Sequence, residues 1–252
     1  MAHTVFGALA KALPDRVPGA WGGGEIGASI GGYHADGKAF VFVEFNNDGP
    51  RGGGPYADGA DGASAPITNQ ANTPIESIEA DQPLRITRYG YVPDSGGPGE
   101  FRGGLGVIRE YELTAREATM QIRSDRNKFL PWGARGGSPG SRTYGFLNPD
   151  GENRELPSKF LLEVQKGDVY RSVQAGAGGY GDCLKRDPEA VRYDVVLEKV
   201  TVDGARRDYG VVLFGDDNTV DVAATRDLRD EMRDERGPLD LEPRVVAALE
   251  AD

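Results

Sequence analysis

The 252-residue sequence is poor in the residues that build disulfides and metal centres. It contains one cysteine, Cys183, and two histidines, His3 and His34. A single cysteine excludes an internal disulfide, and no Cys or His spacing typical of a zinc site is present. We therefore expect no metal site made by this chain alone, and we interpret His34 as a loop residue.

Basic residues and long apolar runs are also scarce. The 29 Lys and Arg residues are outnumbered by 40 Asp and Glu residues, which gives a net charge of -11. A nucleic-acid-binding protein needs a basic face, and a membrane span needs about 18 consecutive apolar residues. Neither is visible, so we expect no nucleic-acid or membrane partner. The absence of a targeting signal and of cysteine pairs favours the cytoplasm.

Glycine, in contrast, is abundant and clustered. The chain has 37 glycines, about twice the usual share of roughly 7%. We interpret the clusters as element boundaries where two backbone segments approach closely. They are "WGGGEIGASIGGY", "DGPRGGGPYADGADG", "PWGARGGSPG" and "QAGAGGYGD".

The rest of residues 21–181 consists of short apolar runs without a long helical pattern, which predicts strands. The runs are "KAFVFVEF", "LRITRYGYV", "LGVIREYEL", "ATMQIRS" and "SKFLLEVQKGDVYRSV". Before them, Val5, Leu9 and Leu13 are spaced four apart, which predicts a short helix with Thr4 as its cap and its end at Pro14.

The C-terminal part has helical signals. Asp187 and Pro188 are typical of a helix start, and "TVDGARRDYGVVLF" predicts a second helix that runs into a small strand. The charged tail is predicted to be helical in two pieces broken at Gly237 and Pro238. We therefore predict an α+β fold in which a β-rich, glycine-loop-rich central domain lies between a short N-terminal helix and a helical C-terminal segment. The expected parts are 1–20, 21–181, 182–215 and 216–252.

The stretch "DSGGPGEFRGGLG", residues 94–106, has the glycine density of a phosphate-binding loop. A phosphate cradle needs a helix directly after it, whereas a β-branched, alternating run follows here. We expect a rigid bend in which Asp94 pairs with Arg102. The alternative is that Arg102 faces an anionic ligand.

Two further polar stretches are candidates for contacts with a ligand. In "RSDR", Arg123 and Asp125 are two apart on an expected strand, so pairing between them is the simpler interpretation. In "TNQANTPIE", which contains Asn69 and Asn72, Thr73 and Glu76 are expected to cap a helix that starts near Pro74. The candidate substrate or phosphate contacts are Asp94, Ser95, Arg102, Arg123, Asp125 and Arg126, with Trp132 in the loop that follows.

Several of these stretches, in order, resemble the C-terminal part of the hydantoinase B/5-oxoprolinase family, which includes the large subunits of acetone and acetophenone carboxylases. The similarity extends from about Val5 to Leu213. It is carried by "TNQANTPIESIE", "YVPDSGGPGEFRGGLGVIREYEL", "SDRNKFLPWGARGGSPG", "ELPSK", "KGDVYRSVQAGAGGYGD", "RDPEAVRYDV" and "DYGVVL".

The resemblance implies a subunit of a multisubunit, ATP-dependent enzyme that opens a cyclic amide or carboxylates a ketone. It implies ATP with Mg in a hydantoinase A-type partner subunit. It also implies a divalent metal, Zn or Mn, in a partner chain that carries the family's N-terminal half. In this interpretation the chain is the C-terminal half of a split B-type subunit and lacks a complete active site of its own.

Two other functions stay open. One is a non-catalytic scaffold or a shortened relic of the family. The other is an independent sugar- or anion-binding β module, which would need surface aromatics such as Trp21 and Trp132 beside its glycine-rich loops.

Overall fold

The computed structural model describes residues 2–23, 26–47, 49–68 and 70–241. Its helices and mainly antiparallel strands confirm the predicted α+β class. None of the helices in the described ranges is long and apolar enough to cross a membrane.

The β-rich part contains nine strands and one short helix in the described ranges. The strands are β1 (Ile26–Tyr33), β2 (Ala39–Asn47), β3 (Leu84–Tyr91), β4 (Val107–Leu113), β5 (Glu117–Arg123), β6 (Tyr144–Leu147), β7 (Arg154–Leu156), β8 (Lys159–Gln165) and β9 (Val169–Val173). Helix α1 (Ala2–Ala12) precedes them, and α2 (Ile75–Asp81) lies between β2 and β3. Each apolar run proposed as a strand contains one, and "SKFLLEVQKGDVYRSV" contains two.

These strands form two antiparallel sheets, one ordered β2-β1-β5-β8 and the other β3-β4-β9-β6-β7. The inner face of the first sheet contributes Ile30, Met120 and Val164 to a core shared with Tyr111 and Tyr170 of the second. Side chains along β5 alternate between exposed and buried, as expected for a strand with one face on a core. The main core therefore lies between the two sheets.

A buried charged contact joins the two sheets inside this core. The Arg109 guanidinium on β4 donates to the Glu44 carboxylate on β2, and the Tyr111 hydroxyl donates to the same carboxylate at 2.6 Å. Burial raises the pKa of Tyr111 well above its usual value, so the hydroxyl keeps the proton that it donates. Arg109 also stacks over the Tyr89 ring, with its guanidinium carbon 4.1 Å from the ring centre.

Outside the sheets, glycine-rich segments pack backbone against backbone in what we call the glycine layer, formed by residues 174–181 with 95–104, 131–140 and 49–54. Neighbouring residues of the central segment bond to different surrounding segments. The bonds are Ala177 N to Gly104 O, Gly178 N to Ala20 O, and Gly179 N to Ser138 O. A Cβ on Gly176 would overlap the Ser95 carbonyl, and one on Gly178 would overlap the Trp132 carbonyl. The close approach expected of the glycine clusters is confirmed here.

One glycine cluster differs from the prediction. "WGGGEIGASIGGY" contains the whole of strand β1, which pairs with both β2 and β5. The cluster is therefore not only an element boundary. The residues of β1 are mostly small, with β-branched side chains only at Ile26 and Ile30. Glycine disfavours a strand, so the hydrogen bonds to β2 and β5 on either side stabilise it.

Helix α1 also differs in detail. It begins at Ala2, so Thr4 lies inside the helix and is not its cap. Its Phe6 and Ala10 pack against Trp132, whereas Val5 and Leu9 are 57% and 42% exposed. The helix ends at Ala12, close to the predicted end at Pro14.

The C-terminal part contains the predicted helices and the predicted small strand, together with a 3-10 turn and a second short strand that were not predicted. They are a 3-10 turn (Cys183–Lys185), α3 (Pro188–Val196), α4 (Val202–Tyr209), β10 (Leu213–Phe214), β11 (Thr219–Val220) and α5 (Val222–Arg236). The Asp187 carboxylate caps α3 by accepting from Glu189 N, and α5 ends at Gly237. The second predicted helical piece of the tail lies largely outside the described residues.

Gly176→Ala tests the glycine layer. Because the added methyl group would overlap a backbone carbonyl, we expect a loss of about 1–3 kcal/mol or more in the free energy of unfolding. Gly90→Ala in β3 is the matched control, since a Cβ there meets no atom within 4 Å. Urea denaturation of both variants measures the difference, and equal stabilities would contradict the close packing.

Candidate functional site

Residues 94–106 form what we call the glycine loop. Its first residue, Asp94, bonds to the start of helix α4. Its backbone has a left-handed φ of 58°. Its carboxylate accepts hydrogen bonds from the Thr201 backbone N at 2.9 Å and from the Thr201 hydroxyl at 2.6 Å. Thr201 Oγ1 in turn accepts from Gly204 N at the start of α4. Asp94 therefore fixes the loop to the C-terminal part of the chain.

Ser95 closes the base of the same loop. Its buried hydroxyl donates to the Val92 carbonyl at 2.6 Å and accepts from Gly106 N at 2.9 Å. The two hydrogen bonds join the start of the loop to Val92, just before it, and to Gly106 at its end, so they hold its two ends together.

Arg102 does not pair with Asp94, so this expectation is wrong. The Arg102 side chain is 1% exposed. It donates to Asp61 at 3.0 Å and to the Gly103 carbonyl at 2.6 Å, and its Nε lies 3.6 Å from Asp194. Asp94 bonds to Thr201 instead. The buried Arg102 guanidinium is neutralised by Asp61 and Asp194, which are distant in sequence.

Arg102 belongs to a larger cluster, the ion network, formed by Asp58, Asp61, Arg102, Arg186, Asp194 and Lys199. Arg102, Arg186 and Asp194 are buried, whereas Asp58 and Lys199 lie at its solvent-facing edge. Arg186 donates to both oxygens of Asp58, at 2.6 and 2.7 Å, and to Asp194 at 2.7 Å. Lys199 lies 2.8 Å from Asp61. The network connects the loop at 58–61, the glycine loop and helix α3.

The positive charges of the network lower the pKa values of two of its carboxylates. Burial acts to raise the pKa of Asp58, but hydrogen bonds and charge from Arg186 outweigh it and hold this pKa below its usual value. The pKa of Asp61 is likewise lowered, because Arg102 and Lys199 outweigh the effect of burial. Both carboxylates therefore stay ionised to more acidic pH in the folded chain than in the unfolded chain.

No local pattern in the sequence identifies these partners. Asp61 and Arg102 are 41 positions apart, and Asp58 and Arg186 are 128 apart. In the sequence, the acidic residues stand in "ADGADG", which is typical of turns.

The second candidate set, "RSDR", is arranged differently from the prediction. Strand β5 ends at Arg123, which lies opposite Gly27 and Lys159 in the sheet. Asp125 lies in the turn beyond the strand, so Arg123 and Asp125 do not share a strand face. Arg126 follows with a left-handed φ of 61°, and its carbonyl accepts from Thr143 N at 3.1 Å.

Arg126 is half-buried and lies beside the N-terminal segment. A Cβ on Gly23 would overlap the Asp125 carboxylate and approach the Arg126 side chain closely. Burial lowers the pKa of Arg126, and the charge of Asp125 offsets this in part. The Arg126 Nε is buried and has no hydrogen-bond partner in the described part of the chain.

The charge of Arg126 also affects the protonation of His3. The His3 ring stacks on Trp21, with 3.5 Å between ring centres. Burial, together with the positive charge of Arg126, lowers the pKa of His3 to about 3. His3 is therefore neutral at physiological pH.

A cavity of about 300 Å³ lies at this turn. It is lined by residues 124–129 together with Ser158 and Lys159. Three of its side chains, Arg126, Lys128 and Lys159, are cationic, and one, Asp125, is acidic. We call it the basic pocket.

A larger cavity, of about 680 Å³, lies elsewhere, between the β1–β2 turn and the turn that precedes β5. Of the residues weighed from the sequence, it contains only His34, which lies in the β1–β2 turn and donates from its backbone N to the Lys38 carbonyl. Among the described residues, no group of three or more His, Cys, Asp or Glu side chains is placed to hold a metal ion.

Other sequence-based expectations for the site are corrected. Trp21 and Trp132 are buried at 4% and 8% exposure, so they do not form the surface aromatic platform that a sugar-binding module would need. Helix α2 has Pro74 at its N-cap and no side-chain capping bond, so the predicted cap from Thr73 and Glu76 is wrong. Asn69 lies outside the described residues.

Comparison with known proteins identifies the family. Residues 1–183 match the family model described as hydantoinase B/oxoprolinase. The chain therefore belongs to the hydantoinase B/oxoprolinase family, which confirms the resemblance seen in its motifs.

Two curated relatives match most of the chain. An uncharacterized protein of Methanocaldococcus jannaschii is 38% identical over 227 residues, which cover 89% of this chain and 39% of that protein. The caprolactamase subunit beta of Pseudomonas jessenii is 33% identical over 240 residues, which cover 89% of this chain and 40% of the subunit. The chain thus spans about two-fifths of the length of these relatives.

Two solved structures share the fold. The ATP-dependent caprolactamase of Pseudomonas jessenii superposes with a TM-score of 0.80 and 30% identity, over 88% of this chain and 40% of that chain. A nucleotide-free acetone carboxylase gives a TM-score of 0.67 over 92% of this chain and 36% of that chain, but its 20% identity supports similarity of fold alone.

Arg102→Met tests the structural role of the glycine loop's arginine. Because the substitution removes one of the two cationic partners of both Asp61 and Asp194, we expect a loss of up to about 3–5 kcal/mol in the free energy of unfolding. Arg207→Met is the control, since Arg207 is 61% exposed in its ion pair with Asp208 and should contribute under about 1 kcal/mol. Chemical denaturation measures both. A soluble, equally stable Arg102→Met protein would contradict this role.

The ion network also predicts an acid-sensitive stability. The lowered pKa values of Asp58 and Asp61 contribute stability that is fully present above the unfolded-state pKa, near pH 4, and is lost as pH falls through the lower folded-state values. We expect the stability difference between the unmodified protein and Asp61→Asn to shrink as the pH falls from 7 towards 3. Urea denaturation across this range measures it, and a constant difference would contradict the assignment.

Proposed function

We propose that this chain forms part of a B-type subunit in a multisubunit, ATP-dependent enzyme that opens a cyclic amide. The observation that carries the proposal is the similarity to ATP-dependent caprolactamase, at 30% identity and a TM-score of 0.80. The sequence match to the beta subunit of caprolactamase supports it, because that protein is named as one subunit of a complex.

The substrate class is chosen from the names of the relatives. Caprolactam and 5-oxoproline are both cyclic amides, and relatives named for each match this chain at 32–33% identity. Carboxylation of a ketone is the less favoured reaction, since the acetone carboxylase structure is only 20% identical. Hydantoin, 5-oxoproline and other lactams stay within the proposed class.

The proposal places the cofactors in partner chains, as the family resemblance implies. ATP with Mg would bind to a hydantoinase A-type subunit, and a divalent metal, Zn or Mn, would bind to the chain that carries the N-terminal half of the B-type subunit. Phosphorylation of an amide oxygen makes the carbonyl carbon a better electrophile, which is the chemistry that ATP would supply. An ATP-dependent complex of this kind would be cytoplasmic.

The role of this chain in such a complex would be to hold loops in a fixed geometry. Asp94, Ser95 and Arg102 are engaged by internal partners, as shown above, so we assign them to positioning of the glycine loop. Rigid supporting elements are what an active site assembled from several chains requires. A non-catalytic scaffold or a shortened relic is the alternative.

Reconstitution tests the proposal. We expect this chain, co-expressed with an A-type subunit and the remainder of a B-type subunit, to form one complex in native mass spectrometry. That complex should hydrolyse caprolactam, hydantoin or 5-oxoproline only when ATP is present.

The matched control is the same preparation without this chain, which should lose turnover. A complex that forms but shows no turnover of cyclic amides or of acetone with bicarbonate would favour the scaffold alternative. A chain that stays alone would contradict the proposed subunit role.

A further inference from the structure

The basic pocket has a charge opposite to that of the chain around it. We propose that it binds a small oxyanion, either a phosphoryl or a carboxylate group, between the turn at residues 124–129 and the first residue of β8. This assignment concerns binding by the chain itself and does not depend on the proposed enzymatic activity.

The cations in and beside the pocket lie at the end of β5, at the start of the adjacent strand β8, and in the turn after β5. Arg123 and Lys159 are register partners on β5 and β8. Arg126 and Lys128 lie on the turn that follows β5, and Lys128 Nζ is 5.9 Å from the centre of the Phe129 ring. Three cations and one acidic side chain, Asp125, therefore line the pocket, with Arg123 next to them in the chain, in a protein whose net charge is -11. Such a local excess attracts anions.

Arg126 supplies the strongest indication of a ligand. Its guanidinium is partly removed from water, and its buried Nε has no acceptor among the described residues. A desolvated cation is costly unless it is paired and hydrogen-bonded. An oxyanion would provide the missing acceptors, and the planar guanidinium fork suits both phosphate and carboxylate.

One neutral group that lines the pocket, the Asn127 side-chain amide, has an NH₂ group that can donate to a ligand. The Ser124 hydroxyl donates to the side-chain oxygen of Asn127 at 3.0 Å and lies 3.1 Å from the Ser158 carbonyl. The Asn127 side-chain oxygen accepts this hydrogen bond, so the NH₂ group is the part of this amide that can donate to a ligand. The volume of about 300 Å³ is at the lower end of the range for ligand pockets, which suits a small anion or the anionic end of a larger molecule.

Titration of the full chain tests the site. Inorganic phosphate and acetate are the probes, at an ionic strength held constant with chloride, and isothermal calorimetry gives the affinities. We expect saturable binding of at least one probe. Arg126→Gln and Lys159→Gln should each weaken it by about tenfold to hundredfold, because each removes a charged hydrogen-bond donor.

Arg226→Gln is the matched control. It changes the net charge by the same amount, but Arg226 lies on α5, is 71% exposed, and pairs with its neighbour Asp227. We expect its affinity for the probes to stay within about twofold of the unmodified protein, as for an exposed charge distant from the ligand. If Arg126→Gln does not fold, Lys159→Gln carries the test alone, since Lys159 is exposed at the start of a strand.

The outcomes separate the two sources of the oxyanion. Tighter binding of phosphate identifies a phosphoryl group, and acetate binding of equal or greater strength identifies a carboxylate. Absence of saturable binding of both probes, or an equal loss in Arg226→Gln, would overturn the proposal. A functional complex with no oxyanion binding would remove this inference and leave the proposed function intact.

Discussion

Direct contact between backbone segments is the constraint on which the rest of this structure depends. Around residues 174–181 the chain packs so closely that a methyl group on Gly176 or Gly178 would overlap a neighbouring carbonyl. Side chains therefore cannot stabilise this region from within, and hydrogen bonds between segments do so instead. The segments held this way include the glycine loop at 94–106, whose position then fixes where Arg102 enters the ion network. Close backbone packing explains the glycines of these segments, whereas others, such as Gly90 in β3, have open space where a Cβ would lie.

The ion network supplies what the glycine layer lacks, which is a link to the C-terminal helices. Arg102 comes from the glycine loop and Asp194 from α3, and Arg186 bonds to both Asp194 and Asp58. A buried charge of one sign requires a partner, so these segments must be in place together. Asp94 adds a second link through Thr201. Through these two links the β-rich part and the C-terminal helices stabilise each other, although each link involves only short segments of the sequence.

Local sequence signals predicted most helices and strands, but they did not predict which distant residues pair in the folded chain. Asp187 followed by Pro188 identified the start of α3, because a capping bond involves only neighbouring residues. Strand β1 was hidden inside a glycine cluster, since its stability comes from β2 and β5 on either side. The pairing of Arg102 was predicted with a nearby carboxylate, but Asp61 lies 41 positions away. Sequence distance carries no information about such contacts, so the sequence could not identify the partner of Arg102.

Asp94 and Arg126 show how structural and functional residues can be told apart in this chain. Both are non-glycine residues with a left-handed φ, a conformation that is costly unless the surroundings compensate for it. For Asp94 the compensation is visible, because its carboxylate receives two hydrogen bonds from Thr201. For Arg126 the backbone carbonyl is bonded to Thr143, yet the desolvated side chain retains a buried donor without an acceptor among the described residues. Arg102 in the glycine loop also has a buried Nε without a hydrogen bond in the part of the chain that the structure describes, but its guanidinium pairs with Asp61 and Asp194, whereas the charge of Asp125 offsets the burial of Arg126 only in part. A cost that is only partly compensated within the chain is expected where a protein binds something else, and this distinguishes the basic pocket from the glycine loop.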